Sequence, residues 1–423
     1  MNTQVARRET SLEPVSASER IEVIDALRGF ALAGVLFANL FAFSGFIMIS
    51  QEQQAALPGG AANGIVALLS NVFVNRKFIT IFSLLFGLGF GIQLARARAR
   101  GENVVPTYAR RLFVLLAIGL VHKFVLWGGD ILTLYAIFGF ALLLVRDWSD
   151  RRLLLAGAII AVAALSVDVL VKIVTNTPVV EWQEGWDTAM ASAMAGGSYV
   201  EVFRLNAEFE IYRHIHDGIP YLSFLGLFLI GYWTARKRLL HDVAAHRRVL
   251  RRVFGWGLAI GLLATVGAMA ALALSGVLGA DGPPAAVPWW MPLAAGAWTL
   301  SFLGLAAAYA SGFALLFQRP RWRRLLNVFS PVGRMALTNY LLQTVIALWL
   351  FYGYMPGPGW SGEVGPVGLV PILIVVFGAQ IAFSTWWLRH YRFGPMEWLW
   401  RSLTYGRIQP MRRVESARAV TVG

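Results

Sequence analysis

The sequence predicts an all-α, polytopic integral membrane protein: a helical bundle of about ten transmembrane helices with both termini in the cytoplasm. Three observations predict it. Hydrophobic residues make up 57% of the chain and charged residues 14%, leaving too little polar surface to clothe a soluble body of 423 residues. Apolar runs long enough to cross a bilayer recur from residue 26 to residue 388. The basic residues concentrate in alternate connections, as cytoplasmic loops require.

Taken in order, the expected spans lie near 26–48, 77–95, 110–127, 131–145, 153–173, 219–235, 253–277, 290–317, 333–353 and 367–388. One set of connections holds Arg96, Arg98, Arg100, Arg110 and Arg111, then Arg146, Arg151 and Arg152, then the run from Arg236 to Arg252, then Arg319 to Arg324, then the tail from Arg392. The connections 49–64, 128–130, 279–289 and 354–366 carry no Lys or Arg, and 174–218 has Arg204 and Arg213 among seven acidic residues. The first set therefore faces the cytoplasm. Residues 1–20, charged with both signs and lacking an apolar core, read as a cytoplasmic tail and not a signal peptide. Residues 21–406 form one transmembrane domain, followed by a cytoplasmic tail over 407–423. The stretch 64–74 is apolar but too short to cross and suits an interfacial helix. The long external segment 174–218, with Trp182, Trp186 and Tyr199, is the candidate cover for a site.

Composition also excludes functions. With no cysteine, disulfides and Cys-based metal or nucleophile sites are ruled out. The net charge of +14 reads as topogenic, since no segment interleaves basic residues with exposed aromatics, and no nucleic-acid partner is expected. His214 and His216 lack a clear third ligand, so no metal is expected.

The informative residues are polar ones within the apolar runs, each of which needs a partner or a task. Arg28 and Asn39, eleven residues apart, share one face of the first span. Arg28 either binds a phosphate or carboxylate or pairs with Asp25. His122 and Asp130 flank a turn made sharp by Gly128 and Gly129 and could touch. Such a pair is a usable general base or else a structural hydrogen bond. Lys123 is expected to reach the outer interface. Asp168 and Lys172 pair at i,i+4. The ninth span carries Arg334, level with Arg28, then Thr338, Asn339 and Gln343, the last two sharing a face. Ser83, Gly87 and Gly91 form a small-residue packing face. Glu397 and Arg401 sit at i,i+4 on an amphipathic helix that lies on the cytoplasmic face.

Five strings in this order, Ile24 to Asn39, FITIFSLLFGLGFG from Phe78, His122 to Tyr135, GRMALTNYLLQ from Gly333 and FGPMEWLWRSLTYG from Phe393, resemble the bacterial YeiB-like membrane proteins, the domain of unknown function 418. The resemblance runs from about Arg20 to Gly406. More remotely, the Asp-x-x-Arg-Gly entry to the first span is similar to membrane acyltransferases that acetylate sugars and to the heparan glucosaminide acetyltransferase group. That likeness implies an acyl group taken from cytoplasmic acyl-CoA, with Arg28 on the donor. The catalytic His of the sugar enzymes is matched here by Asn39, and residues 40–60 hold no His. His122 with Asp130 is the substitute base that this chain itself supplies, with Arg28, Asn39, Arg334, Asn339 and Gln343 as substrate-binding candidates.

The expected activity is acyl transfer in the bacterial plasma membrane, from acyl-CoA to an external hydroxyl or amine of a sugar or lipid-linked acceptor. A transporter of small molecules or lipids and a non-catalytic scaffold or sensor are the alternatives; membrane lipids are partners in all three.

Overall fold

The computed structural model of the protein describes residues 21–175, 181–216, 218–274 and 288–413. The tail 1–20, most of the loop 279–289, Asp217 and the side chains of Trp182, Arg213, His214 and His216 lie outside the described residues. The described residues form helices α1 Glu22–Phe43, α2 Gln51–Ala56, α3 Ala61–Phe73, α4 Lys77–Ala99, α5 Val104–Val121, α6 Leu132–Leu144, α7 Asp150–Thr175, α8 Glu181–Gly196 and α9 Tyr199–His216. They continue with α10 Gly218–Arg236, α11 Arg247–Leu274, α12 Met291–Phe317, α13 Pro320–Leu326, α14 Ser330–Arg334, α15 Ala336–Phe351, α16 Pro366–His390 and α17 Pro395–Tyr405.

A helix falls on each expected span. Among the described residues, eight helical stretches are long and apolar enough to cross a membrane, the second of them running from Ala61 through α4. The runs expected at 131–145 and 333–353 are shorter, because α6 has 13 residues and α15 has 16. Each of these two begins at a break, at Asp130 and at Met335, and each break faces the site described below. Ile159, Leu263, Val266 and Ile374 point outward from α7, α11 and α16, the apolar girdle that lipid contact demands.

Small residues let these helices touch. A Cβ on Gly333 of α14 would fall on the Asp25 carbonyl oxygen of α1, and one on Gly29 would fall on the carbonyl oxygen of Phe329. The expected Gly87 and Gly91 face meets the Phe228 backbone and the Tyr232 and Ala235 side chains of α10, while the hydroxyl of Ser83 lies 2.7 Å from that of Tyr135 on α6. Such approaches give van der Waals contact where no hydrophobic effect drives helices together in lipid.

Charges inside the bundle are answered locally. Lys172 lies 3.1 Å from Asp168, as expected. Lys77, buried at the start of α4, donates to the Asn71 carbonyl at 2.6 Å and thereby caps the C-terminus of α3. Helix α3 packs its polar Asn63 and Ser70 inward and exposes Ile65, Leu68 and Leu69, the two-faced character expected of 64–74.

The α1–α14 crossing sets the position of Arg28 and Arg334, so it yields a direct test. Gly333→Ala should destabilise the detergent-solubilised protein by about 1–3 kcal/mol, read as a lowered Tm, whereas Gly267→Ala, where an added methyl meets nothing, should leave Tm unchanged.

Candidate functional site

Helix α5 ends in a π-helical turn, His122–Leu126, closed by the Trp127 N–H bonding the His122 carbonyl at 2.8 Å. Such turns recur at functional sites. The chain then reverses through Gly128 and Gly129 and reaches Asp130, which caps α6: its Oδ1 accepts the Leu132 N–H at 3.1 Å and its Oδ2 the Thr133 N–H at 2.7 Å. The same Oδ1 lies 2.8 Å from Nδ1 of His122. With both carboxylate oxygens accepting, Nδ1 carries the hydrogen, and in the neutral ring Nε2 then presents its lone pair. That lone pair meets the Thr344 hydroxyl of α15 at 2.9 Å. His122 is 1% exposed, and its ring packs on Tyr340, centroid to centroid 5.1 Å. The expected His122–Asp130 pair thus exists, with Thr344 as a third member.

The far end of this group is covered, as expected of 174–218. Helices α8 and α9 form a hairpin, joined by the Trp186 indole donating to the Leu205 carbonyl at 2.8 Å. The Tyr199 hydroxyl donates to the Val125 carbonyl at 2.8 Å, and Asn206 of α9 packs over Gly128. Lys123 does not reach an outer interface. It is buried against Glu210 of α9 at 2.5 Å, because burying an ammonium beside the π-turn requires a counter-charge.

Toward the arginine-rich end lies an elongated cavity of about 280 Å³. Arg28, Arg96, Arg111, Arg334 and Arg401 line it against only two acids, Asp25 and Glu397. Phe82, Leu85, Phe86, Leu115, Tyr135 and Tyr340 line the rest. From Phe82 to Arg96 the wall follows fourteen residues of α4, about 21 Å. The arginines are held in place: Arg28 lies 3.4 Å from Asp25, Arg111 stacks 3.8 Å over Trp400, and Arg401 lies 4.6 Å over Phe393. Arg28 is near enough to Arg111 for their charges to repel. A cationic mouth over an apolar interior suits a phosphorylated amphiphile.

Helix α17 is one wall of this cavity as well as an amphipathic surface helix. Glu397 reaches α15 and accepts from the Leu337 N–H at 2.7 Å, the Thr338 N–H at 3.1 Å and the Thr338 hydroxyl at 2.6 Å. The Met396 N–H in return donates to Thr338 Oγ1 at 3.1 Å, so each helix caps the other. Withdrawal from water raises the Glu397 carboxyl above its ordinary range, and the Thr338 and Leu337 donors oppose this.

Comparison with known proteins meets this geometry at its centre. Residues 234–407, which include Arg334, Thr344 and Glu397, match the profile of "Protein of unknown function (DUF418)". Over 96% of the chain the sequence is 35% identical to "Uncharacterized protein YxaH" of Bacillus subtilis, covering 99% of that protein. It is 30% identical to "Uncharacterized protein YeiB" of Escherichia coli over 91% of the chain and 96% of that protein. The chain belongs to the DUF418 family of YeiB-like membrane proteins.

Of the residues read from the sequence, this DUF418 protein brings Arg28 and Arg334 together in the cavity and joins His122 to Asp130. Asn39 is half-buried and lines no part of the cavity, since α1 passes from the cavity wall into the apolar core beyond Arg28. Asn339 and Gln343 do share a face, but it points to α16: Asn339 donates to Ser384 at 2.9 Å and Gln343 to Gln380 at 2.9 Å. They tie two helices together and do not line the cavity. Sequence reasoning missed Arg96, Arg111 and Arg401, which read as topogenic charge, and Thr344, which reads as an ordinary residue of an apolar span.

Two outcomes follow for this DUF418 fold. Glu397 has its carboxyl raised on folding, so its contribution to stability is present at low pH and is lost as pH rises above the ordinary glutamate range of about 4.3. A pH series of Tm should show this decline in the native chain and its absence in Glu397→Gln. Glu210→Ala, which strands Lys123, should cost about 3–5 kcal/mol, while the double change Lys123→Met with Glu210→Leu should recover most of the lost Tm.

Proposed function

We propose that this protein is a transmembrane acyltransferase of the bacterial plasma membrane, moving an acyl group from cytoplasmic acyl-CoA to a hydroxyl or amine on the opposite side. One observation carries the reading: a cavity with an arginine-rich mouth and an apolar interior ends at Tyr340, whose ring packs against the Asp130-oriented His122. The phosphates of the donor meet the guanidiniums of Arg28, Arg96, Arg111, Arg334 and Arg401, which suit bidentate anion contacts. The thioester arm enters the apolar section toward Tyr340. His122, with its Nδ1 hydrogen held by Asp130, takes a proton at Nε2. The acceptor, a sugar or lipid-linked group, comes from the side covered by α8 and α9, which must part from the π-turn to admit it. The orientation follows from the arginine bias of one set of connections.

A second reading has its own support. Both ring nitrogens of His122 are already hydrogen bonded and the ring is buried, as a purely structural imidazole would be. A carrier of phosphorylated lipids or solutes would use the same arginine mouth.

Calorimetry of the purified protein with acetyl-CoA and a longer acyl-CoA separates them. Saturable binding is expected, weakening with salt, and about tenfold or more in Arg28→Ala and in Arg334→Ala, since a hydrogen bond to a charged group is worth about 1.5–3 kcal/mol. The absence of saturable binding of either donor, with substrate uptake in proteoliposomes, would select the carrier.

A further inference from the structure

We infer that Thr344 is an acyl-carrying nucleophile, the third member of an Asp130–His122–Thr344 triad; the inference rests on the acyl-transfer reading above. Three observations point to it. First, the geometry is that of an activated hydroxyl. Asp130 holds Nδ1 at 2.8 Å, and Nε2 accepts the Thr344 hydroxyl at 2.9 Å.

Second, Thr344 makes its bond outside its own helix. On α15 Thr338 turns to Glu397 and Thr344 to His122, whereas several helical hydroxyls here bond the carbonyl one turn earlier: Thr80 to Arg76, Thr234 to Ile230, Thr265 to Gly261 and Thr404 to Trp400, all within 2.9 Å. That local bond is what a hydroxyl buried in an apolar helix makes by default. The Thr344 hydroxyl bonds the imidazole, from another helix 222 residues away in sequence.

Third, the cavity comes close to it, with the Tyr340 ring standing between the cavity lining and His122. Tyr340, one turn before Thr344 on the same face of α15, lines the inner end of the cavity and touches the imidazole with its ring. Its hydroxyl is buried beside Asp130 and the backbone of Ile131.

The chemistry balances in two halves. Thr344 Oγ bonds to the thioester carbonyl carbon and gives its proton to His122 Nε2. The C–S bond breaks, and the departing CoA sulfur takes that proton, leaving an ester on Thr344. From the opposite side the acceptor hydroxyl or amine attacks the ester carbonyl and gives its proton to Nε2. The C–O bond to Thr344 breaks, and Oγ recovers the proton. A covalent carrier lets donor and acceptor occupy opposite faces of the membrane without meeting, and it explains a triad that sits between the cavity and the α8–α9 cover.

The first half needs no acceptor, so it can be tested with acetyl-CoA alone. The full chain in detergent is incubated with acetyl-CoA, quenched, digested and analysed by mass spectrometry. Because the chain has no cysteine, free thiol released in solution reports CoA alone, a hydroxylamine-labile adduct is never a thioester, and the labelled peptide separates an ester on Thr344 from an acyl-imidazole on His122. The expected result is one acetyl group on the peptide containing Thr344, lost in the isosteric Thr344→Val, restored in Thr344→Ser, and slowed on the order of 10³ or more in His122→Gln. Acetyl-CoA affinity should persist in all three variants. Binding without an ester at Thr344, or an adduct elsewhere such as on His122, overturns the inference and leaves the acyltransferase reading standing. Failure of the native chain to bind acetyl-CoA overturns both.

Discussion

The Asp130 carboxylate is the interaction on which the centre of this protein depends. Its oxygens close the first turn of α6 through the Leu132 and Thr133 N–H groups, and the same group fixes the His122 ring. A single carboxylate therefore sets where a short helix begins, which nitrogen of the imidazole carries the hydrogen, and which hydroxyl faces the other nitrogen. In an apolar bundle these bonds are obligatory, because an unsatisfied helix terminus or imidazole has no water to turn to. Removing Asp130 would loosen the helix start and the site together. Stability and chemistry at this position are consequently hard to separate by substitution there, and Thr344, which caps nothing, is the cleaner place to separate them.

Around that centre the bundle keeps two kinds of surface apart. Backbone-to-backbone crossings through Gly29, Gly333, Gly87 and Gly231 draw helices together and place side chains with little latitude. The cavity lies beside the α1–α14 crossing, with Asp25, Arg28, Gly333 and Arg334 in its wall, and α17 closes its side. The mutual capping of Glu397 and Thr338 makes α17 part of the bundle, so Arg401 and Trp400 become cavity wall. Five guanidiniums line one cavity, and Arg28 and Arg111 are near enough to repel each other.

The opposite end is closed by different means. The α8–α9 hairpin is fastened to the π-turn by the Lys123–Glu210 pair and the Tyr199 hydroxyl, a few polar contacts over the His122–Asp130 pair. The π-turn itself connects cover and site: His122 opens it, Lys123 pairs with the cover, and Val125 accepts from it. Cover and imidazole therefore meet on neighbouring residues of one turn.

Much of this was legible in the linear chain. Apolar length and arginine bias determined the helical membrane architecture and placed a helix at every expected span, because the bilayer imposes one solution on a long apolar run. The His122–Asp130 pair was legible too, since eight residues around two glycines leave few ways for the groups to avoid each other. Contacts made across many residues were not. Asn39 and Arg28 share a helical face, yet only Arg28 meets the cavity, because the neighbours of α1 change along its length. Asn339 and Gln343 carry the right polarity for a ligand, but α16 claims it. Arg111 and Arg401 look like loop charges until α17 folds against α5, and Thr344 looks like any threonine until α15 meets the π-turn. Periodicity in a sequence determines which face a residue occupies; which partner that face meets is decided only when the helices pack.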